Sequence, residues 1–165
     1  MWVLRAGKNG IYVDRFLAEK RIYICWDGYD TDLSKLKSHD DFVIVGLNEE
    51  HNTTKVALIN RISQLEYFCD KMEIGDYVLL PKSRSASFAL VKVTGNYEYQ
   101  CNHQFYCHSR TIEIVLPDIN GNIFPQDIKY SLGAYRNLFH AKRESEIVML
   151  LNEHYGINIG DDANA

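Results

Sequence analysis

Val56, Ile59, Ile62, Leu65, Phe68, Cys69 and Met72 recur every three or four residues, and this stripe constrains the fold more than any other pattern in the chain. It has the spacing of one buried face of a helix. Thr53 or Thr54 is its N-cap, because a threonine hydroxyl satisfies an otherwise unpaired first-turn N–H. The helix stops before Gly75-Asp76, and the period then changes: Tyr77-Val78-Leu79-Leu80-Pro81 reads as a buried strand closed by proline. Across a loop over residues 82–87, Phe88-Ala89-Leu90-Val91-Lys92-Val93-Thr94 reads as a second strand. A long amphipathic helix beside two apolar strands requires a sheet for it to cover.

The flanking segments extend that plan. Trp2 to Ala6 is a short strand entering the turn Gly7-Lys8-Asn9-Gly10, and Tyr12, Val13, Phe16 and Leu17 mark one face of a helix. Ile22 to Trp26 is a β-branched and aromatic strand bounded by the turn Asp27-Gly28-Tyr29-Asp30. Residues 31–52 are expected to form a loop with short helical pieces. Gly95 suggests a bulge or bend, Arg110 to Leu116 a further strand, and Asp118 to Asn122 a turn. Helices are expected at Tyr130–Phe139, broken by Gly133, and at Glu144–Asn152. The order predicts an α+β domain over residues 1–158, a curved mixed sheet with helices packed on it, and a flexible tail at 159–165. A regular βαβ alternation and a glycine-rich phosphate loop are both missing, which argues against dinucleotide and nucleoside-triphosphate folds.

With 46% apolar and 24% charged residues among 165, the composition is that of one globular domain rather than a disordered chain. No run approaches the roughly 20 apolar residues of a membrane helix, and the N-terminus carries no secretory signal pattern. The expectation is a soluble, cytoplasmic protein with no membrane partner. Its four cysteines, Cys25, Cys69, Cys101 and Cys107, are too few and too irregular for a secreted disulfide framework, so reduced thiols are expected. A net charge of −4 argues against generic high-affinity phosphate binding. Residues 81–116 nevertheless hold Lys82, Arg84, Lys92 and Arg110 against Glu98 and Glu113, which leaves room for a basic patch on an acidic protein.

Few residues suggest catalysis. Cys101, His103, Cys107 and His108 are zinc-ligand types, but they share one segment instead of two separated knuckles, and they read as a loop with buried thiols. There is no nucleophile elbow, and neither a Glu-x-Lys nor a Gln-x-Lys pair of the kind that serves a metal-dependent nuclease. Cys25 and Cys69 read as small core hydrophobes. No enzyme activity, cofactor or metal is expected of the chain by itself. The aromatic residues, 12% of the chain with 11 tyrosines, carry more information. Trp26 ends a strand beside a turn, and Tyr97 and Tyr99 project to one side after the Gly95 bend. Any one of these rings is expected to pack the core; together they suggest an edge at which a base is sandwiched.

Taken in order, several segments resemble the N-terminal domain of Mrr-type, modification-dependent restriction endonucleases. They are Trp2-Val3-Leu4-Arg5-Ala6-Gly7, Ile24-Cys25-Trp26 followed by Asp32-Leu33, Gly75-Asp76-Tyr77-Val78, Val93-x-Gly95-x-Tyr97-x-Tyr99, His108-x-Arg110 and Ser131-Leu132-Gly133. That domain is similar to the EVE and YTH members of the PUA-like superfamily. The resemblance implies a PUA-like α+β fold, a strongly curved mixed sheet or partial barrel flanked by helices. It also implies recognition of a modified, typically methylated base flipped out of DNA or RNA into an aromatic cage, in restriction or phage defence. Carried onto this chain, Trp26, Tyr97 and Tyr99 are the expected cage residues and Asp32 the acceptor for the base edge. Arg5, Lys82, Arg84 and Arg110 are the expected phosphate contacts. The nuclease half of the resembled enzymes is missing from this sequence, so a nuclease domain or subunit is an expected partner. The alternatives are a protein-interaction module and a small-nucleotide sensor; an enzyme acting on a small ligand is disfavoured because no acid/base pair or nucleophile stands out.

Overall fold

Residues 1–26, 28–101 and 104–160 are described by a computed structural model. The strands are β1 (Trp2–Leu4), β2 (Arg21–Tyr23), β3 (Tyr77–Lys82), β4 (Ser87–Val93), β5 (Glu98–Tyr99), β6 (His108–Asn120) and β7 (Leu138–His140). The helices are α1 (Val13–Glu19), α2 (His39–Glu49), α3 (Lys55–Glu66), α4 (Gln126–Leu132) and α5 (Glu144–Tyr155). The strands form one mixed sheet in the order β2-β6-β4-β3-β1-β7, with β5 paired to β6. It curls into a half-barrel flanked by helices. Only β1 and β3 run parallel; β4 pairs antiparallel with both β3 and β6, and its register with β6 shifts near Leu90. Such irregularities increase local twist and help a sheet to curl.

Period-two alternation places a core on each face. Trp2, Leu4, Val78, Leu80, Ala89, Val91 and Val93 point to the side covered by Phe16 of α1, Phe42 of α2 and Ile62 of α3. Val3, Leu79, Phe88 and Leu90 point to the other side, under Ile128 and Leu132 of α4 and Ile147 and Leu151 of α5. Because both faces are covered, the central strands read as nearly continuous apolar runs. Thr54 caps α3 as expected, its Oγ1 accepting from the Ala57 N–H at 3.2 Å. Past Glu66 the helix widens into a turn over Tyr67–Lys71, closed by the Met72 N–H on the Tyr67 carbonyl at 2.7 Å.

Four expectations change. Within residues 31–52, expected to be mostly loop, α2 spans eleven residues. Its start is a capping box: Ser38 Oγ accepts from the Asp41 N–H, and the Asp41 carboxylate accepts from the Ser38 N–H. The expected helix at 130–139 is instead the end of α4, a connection from Gly133, and strand β7, whose Leu138, Phe139 and His140 pair antiparallel with β1. An edge position open beside β1 outweighs local helix propensity there. Ile159, placed in the tail, is buried, and its backbone N–H donates to Asn152 Oδ1 at 2.9 Å; residues 161–165 of the tail lie outside the described residues. The expectation of four reduced thiols also fails, since Cys101 and Cys107 form a disulfide. The Gln100 N–H donates to the Cys107 carbonyl at 2.9 Å, so the hairpin brings together cysteines six residues apart.

Arg110, expected on a phosphate, is 2% exposed. Its guanidinium donates to the carbonyls of Gly95 at 3.0 Å, Phe68 at 3.1 Å and Met72. The Gly95 bend passes close to β6, because a Cβ there would collide with Thr111 Oγ1. Arg110→Ala would strand three buried carbonyls and should cost roughly 3 kcal/mol or more of stability. A lower denaturant midpoint with an unchanged slope is the expected result. Thiol titration of the unfolded, unreduced chain should count Cys25 and Cys69 alone, and reduction should add Cys101 and Cys107.

Candidate nucleic-acid interface

The expected aromatic site is assembled, but mostly as a structural knot. Tyr97 stacks on His108 with centroids 5.7 Å apart and meets Phe68 edge-on at 6.4 Å. Its hydroxyl accepts from the Leu33 N–H at 3.2 Å and donates to His108 Nδ1 at 2.6 Å. His108 Nε2 then carries the proton, because its partner is the Tyr29 carbonyl, which can only accept. Tyr99 donates to the Asp30 carbonyl. Asp32 Oδ1 caps the turn Leu33–Lys35, accepting from the Ser34 N–H at 3.0 Å and the Ser34 hydroxyl at 2.7 Å. Those Ser34 bonds hold its carboxyl below the usual carboxylate range. Tyr97, Tyr99 and Asp32 therefore tie residues 29–35 to the start of β6, and none of them lines either cavity that Trp26 lines. The pairing of Trp26 with Tyr97 as two cage walls is corrected accordingly.

The zinc-type residues are engaged in other ways. The sulfurs of Cys101 and Cys107 are bonded to each other beside the Asp30 carboxylate. Both ring nitrogens of His108 have protein partners. His103, like Asp27 of the expected turn, lies outside the described residues. Burial pushes the free thiols of Cys25 and Cys69 up to about 12, as suits packing residues.

Trp26 does line a cavity of about 560 Å³, shared with Arg5, Lys8, Arg61, Tyr135 and Arg136. Its walls are set by backbone contacts. The Arg5 N–H donates to the Asn137 carbonyl at 2.8 Å. From α3, buried Gln64 accepts the Asn137 and Leu138 N–H groups at 2.9 and 3.0 Å. Gly10 packs so tightly that a Cβ would collide with the Pro81 carbonyl, which fixes the 7–10 turn against the end of β3.

This cavity adjoins a groove of about 1180 Å³ lined by Arg84, Lys129, Tyr130, Tyr135, Arg136 and Lys142. A smaller hollow with Arg5 and Arg84 connects the two. The three together are lined by seven cations, Arg5, Lys8, Arg61, Arg84, Lys129, Arg136 and Lys142, and by no described carboxylate. Arg61 pairs with Glu50; among the described residues, Arg5, Lys8, Arg84, Arg136 and Lys142 are in no ion pair. Arg5 lies over the Tyr135 ring at 5.6 Å. Of the expected phosphate contacts, Arg5 and Arg84 lie on this face. Lys82, paired with Asp14 at 3.2 Å, does not line it, and Arg110 is buried, so a phosphate contact by Arg110 is corrected. Lys129-Tyr130 and Tyr135-Arg136, basic and aromatic neighbours either side of Gly133, were the available signal for the groove; reading them as one helix concealed it.

The architecture is thus an α+β half-barrel domain with a segregated basic and aromatic face. Residues 2–133 match the family described as Domain of unknown function (DUF8426), and the chain belongs to that family. No curated protein and no solved structure matches it. Among the described residues, no helix is long and apolar enough to cross a membrane.

Burial lowers the pKa of His108 below the ordinary histidine value near 6.5. The folded chain therefore resists a proton that the unfolded chain accepts. This contribution to stability is complete above pH about 6.5 and is lost as pH falls toward the depressed folded value. Denaturant midpoints measured from neutral pH down to about pH 5 should fall, and His108→Gln should flatten that dependence.

Proposed function

We propose that this domain is a PUA-like, EVE/YTH-like nucleic-acid reader that accepts one modified, typically methylated, base flipped out of DNA or RNA. The base enters the cavity beside Trp26, with Tyr135 replacing Tyr97 as the second aromatic wall. The observation carrying this reading is that Trp26, Tyr135 and three arginines line one cavity that opens onto a face lined by no described carboxylate. A base drawn from a stack costs a few kcal/mol, and stacking on an indole together with polar contacts to the base edge offsets that cost. Lys8 and Asn9 line the same cavity, and the Lys8 ammonium and the Asn9 amide offer donors and an acceptor for such an edge. Arg5 and Arg84 then contact phosphates on either side. The resemblance of Ile24-Cys25-Trp26 and its neighbouring segments to the Mrr-type domain supports the same assignment. On this reading the chain is a specificity module, and cleavage belongs to a nuclease domain or subunit that it serves.

A protein-interaction module is the second reading, favoured by the exposure of Ile44 and Leu47 on α2 and of Val56 and Ile59 on α3. Binding that weakens steeply with salt separates a nucleic-acid reader from it.

Trp26→Ala and Tyr135→Ala should each weaken binding to a methylated oligonucleotide by about ten- to hundredfold. Both should reduce its advantage over the unmodified oligonucleotide. Tyr135 is 96% exposed, so Tyr135→Ala should leave thermal unfolding unchanged. Equal affinity of the parent protein for a panel of modified and unmodified oligonucleotides would exclude the base-reading role.

A further inference from the structure

We infer that the groove between the Ser83–Ser85 turn and the Gly133–Arg136 segment holds an unpaired stretch of nucleic acid, so that the domain prefers single-stranded or locally opened substrate to continuous duplex. This rests on the nucleic-acid reading above; the groove shares Tyr135 and Arg136 with the base cavity, whereas Tyr130, Arg84 and Lys142 line the groove and not that cavity.

Charge is the first ground. The whole chain carries −4, yet Arg84, Lys129, Arg136 and Lys142 line this groove without a described carboxylate among them. An acidic protein with four cations along a groove is poorly matched to the dense charge of two strands. It is well matched to one strand threaded past a few cations.

The aromatic residues supply the second ground. Tyr130 and Tyr135 are 84% and 96% exposed, and so are not core residues that happen to reach the surface. Inside a duplex each base is covered on both faces by its neighbours and offers none to a tyrosine ring. A single strand presents free faces that stack on such rings irrespective of sequence. Basic and aromatic side chains on one channel are the combination that unpaired nucleic acid requires.

Rigidity is the third. Ser83, Arg84 and Ser85 have φ of 47°, 59° and 67°, three successive non-glycine residues in left-handed backbone. Strain of this kind persists where surrounding structure enforces it. Here the Gly121 N–H donates to the Ala86 carbonyl at 2.9 Å, and a Cβ at Gly121 would crowd the Ser85 and Ala86 carbonyls. Arg84 is thereby presented to the groove from a fixed turn, opposite the Gly133–Arg136 segment, whose continuation at Asn137 and Leu138 is held by Gln64.

The test uses the full chain and one unmodified mixed-sequence oligonucleotide, prepared as single-stranded DNA, single-stranded RNA and blunt DNA duplex, with fluorescence anisotropy over a salt series. The expected result is tighter binding of a single strand than of duplex, the two single-stranded arms reporting which sugar is preferred. Tyr130→Ala, which changes a groove residue that does not line the base cavity, should weaken single-strand binding about ten- to hundredfold and affect duplex much less. Arg84→Gln and Lys142→Gln should each flatten the slope of log affinity against log salt by about 0.7. Duplex binding as tight as single-strand binding, or single-strand affinity indifferent to Tyr130, overturns the inference. Because these probes carry no modified base, a failure here leaves the Trp26 cavity standing if methylated and unmodified oligonucleotides are still distinguished. Loss of that distinction alone leaves the groove standing.

Discussion

The guanidinium of Arg110 is the constraint around which one end of the molecule is organised. A cation removed from water must find compensation, and here it comes from three carbonyls on two segments. Phe68 and Met72 lie at the C-terminal end of α3, where helix carbonyls lack partners and the helix dipole is negative. Gly95 is the bend between β4 and β5. One side chain on β6 thus joins the end of α3 to the turn of the sheet, and neighbouring His108 extends the knot through Tyr97 to Leu33. Burial lowers the Arg110 pKa, but the partners are oriented acceptors that suit only the charged form.

The opposite edge owes its character to how the rest of the chain is paired. Carboxylates that would neutralise a basic face are held elsewhere: Glu19 by Arg15, Glu98 by Arg21, and Asp127 and Glu146 by Arg143. Pairing of β7 with β1 then places residues 133–140 beside Arg5 and the 7–10 turn. A face lined by cations emerges on an acidic protein because the described acids lie outside it, rather than from any excess of lysine and arginine.

Much of the scaffold could be read along the chain. The α3 helix, the β3 and β4 runs, the Gly95 bend and α5 are local patterns whose period or turn chemistry needs no distant partner, although the stripe read as one buried face is buried at Ile62 and Leu65 and exposed at Val56 and Ile59. The capping box at Ser38 and Asp41 was equally local, but the apolar residues of α2 make too weak a stripe to draw attention to it. Strand β7 was not legible, since three residues become a strand only because β1 offers an unpaired edge. The disulfide was hidden for a similar reason, as its closure depends on the β5–β6 hairpin.

For the site, sequence determined which residue types were available: Trp26 at a strand end, tyrosines in excess, and arginines scattered through a chain of net negative charge. Tertiary structure decided their employment. Tyr97, Tyr99 and Arg110 have the same chemistry as groove residues, yet their polar atoms face buried carbonyls, a histidine and a backbone N–H. Tyr130, Tyr135 and Arg84 find no such partners and face solvent. The physical reason is that a phenol or guanidinium serves equally well as a buried donor or an exposed binding surface. Which it becomes depends on the polar groups that distant segments leave unsatisfied around it.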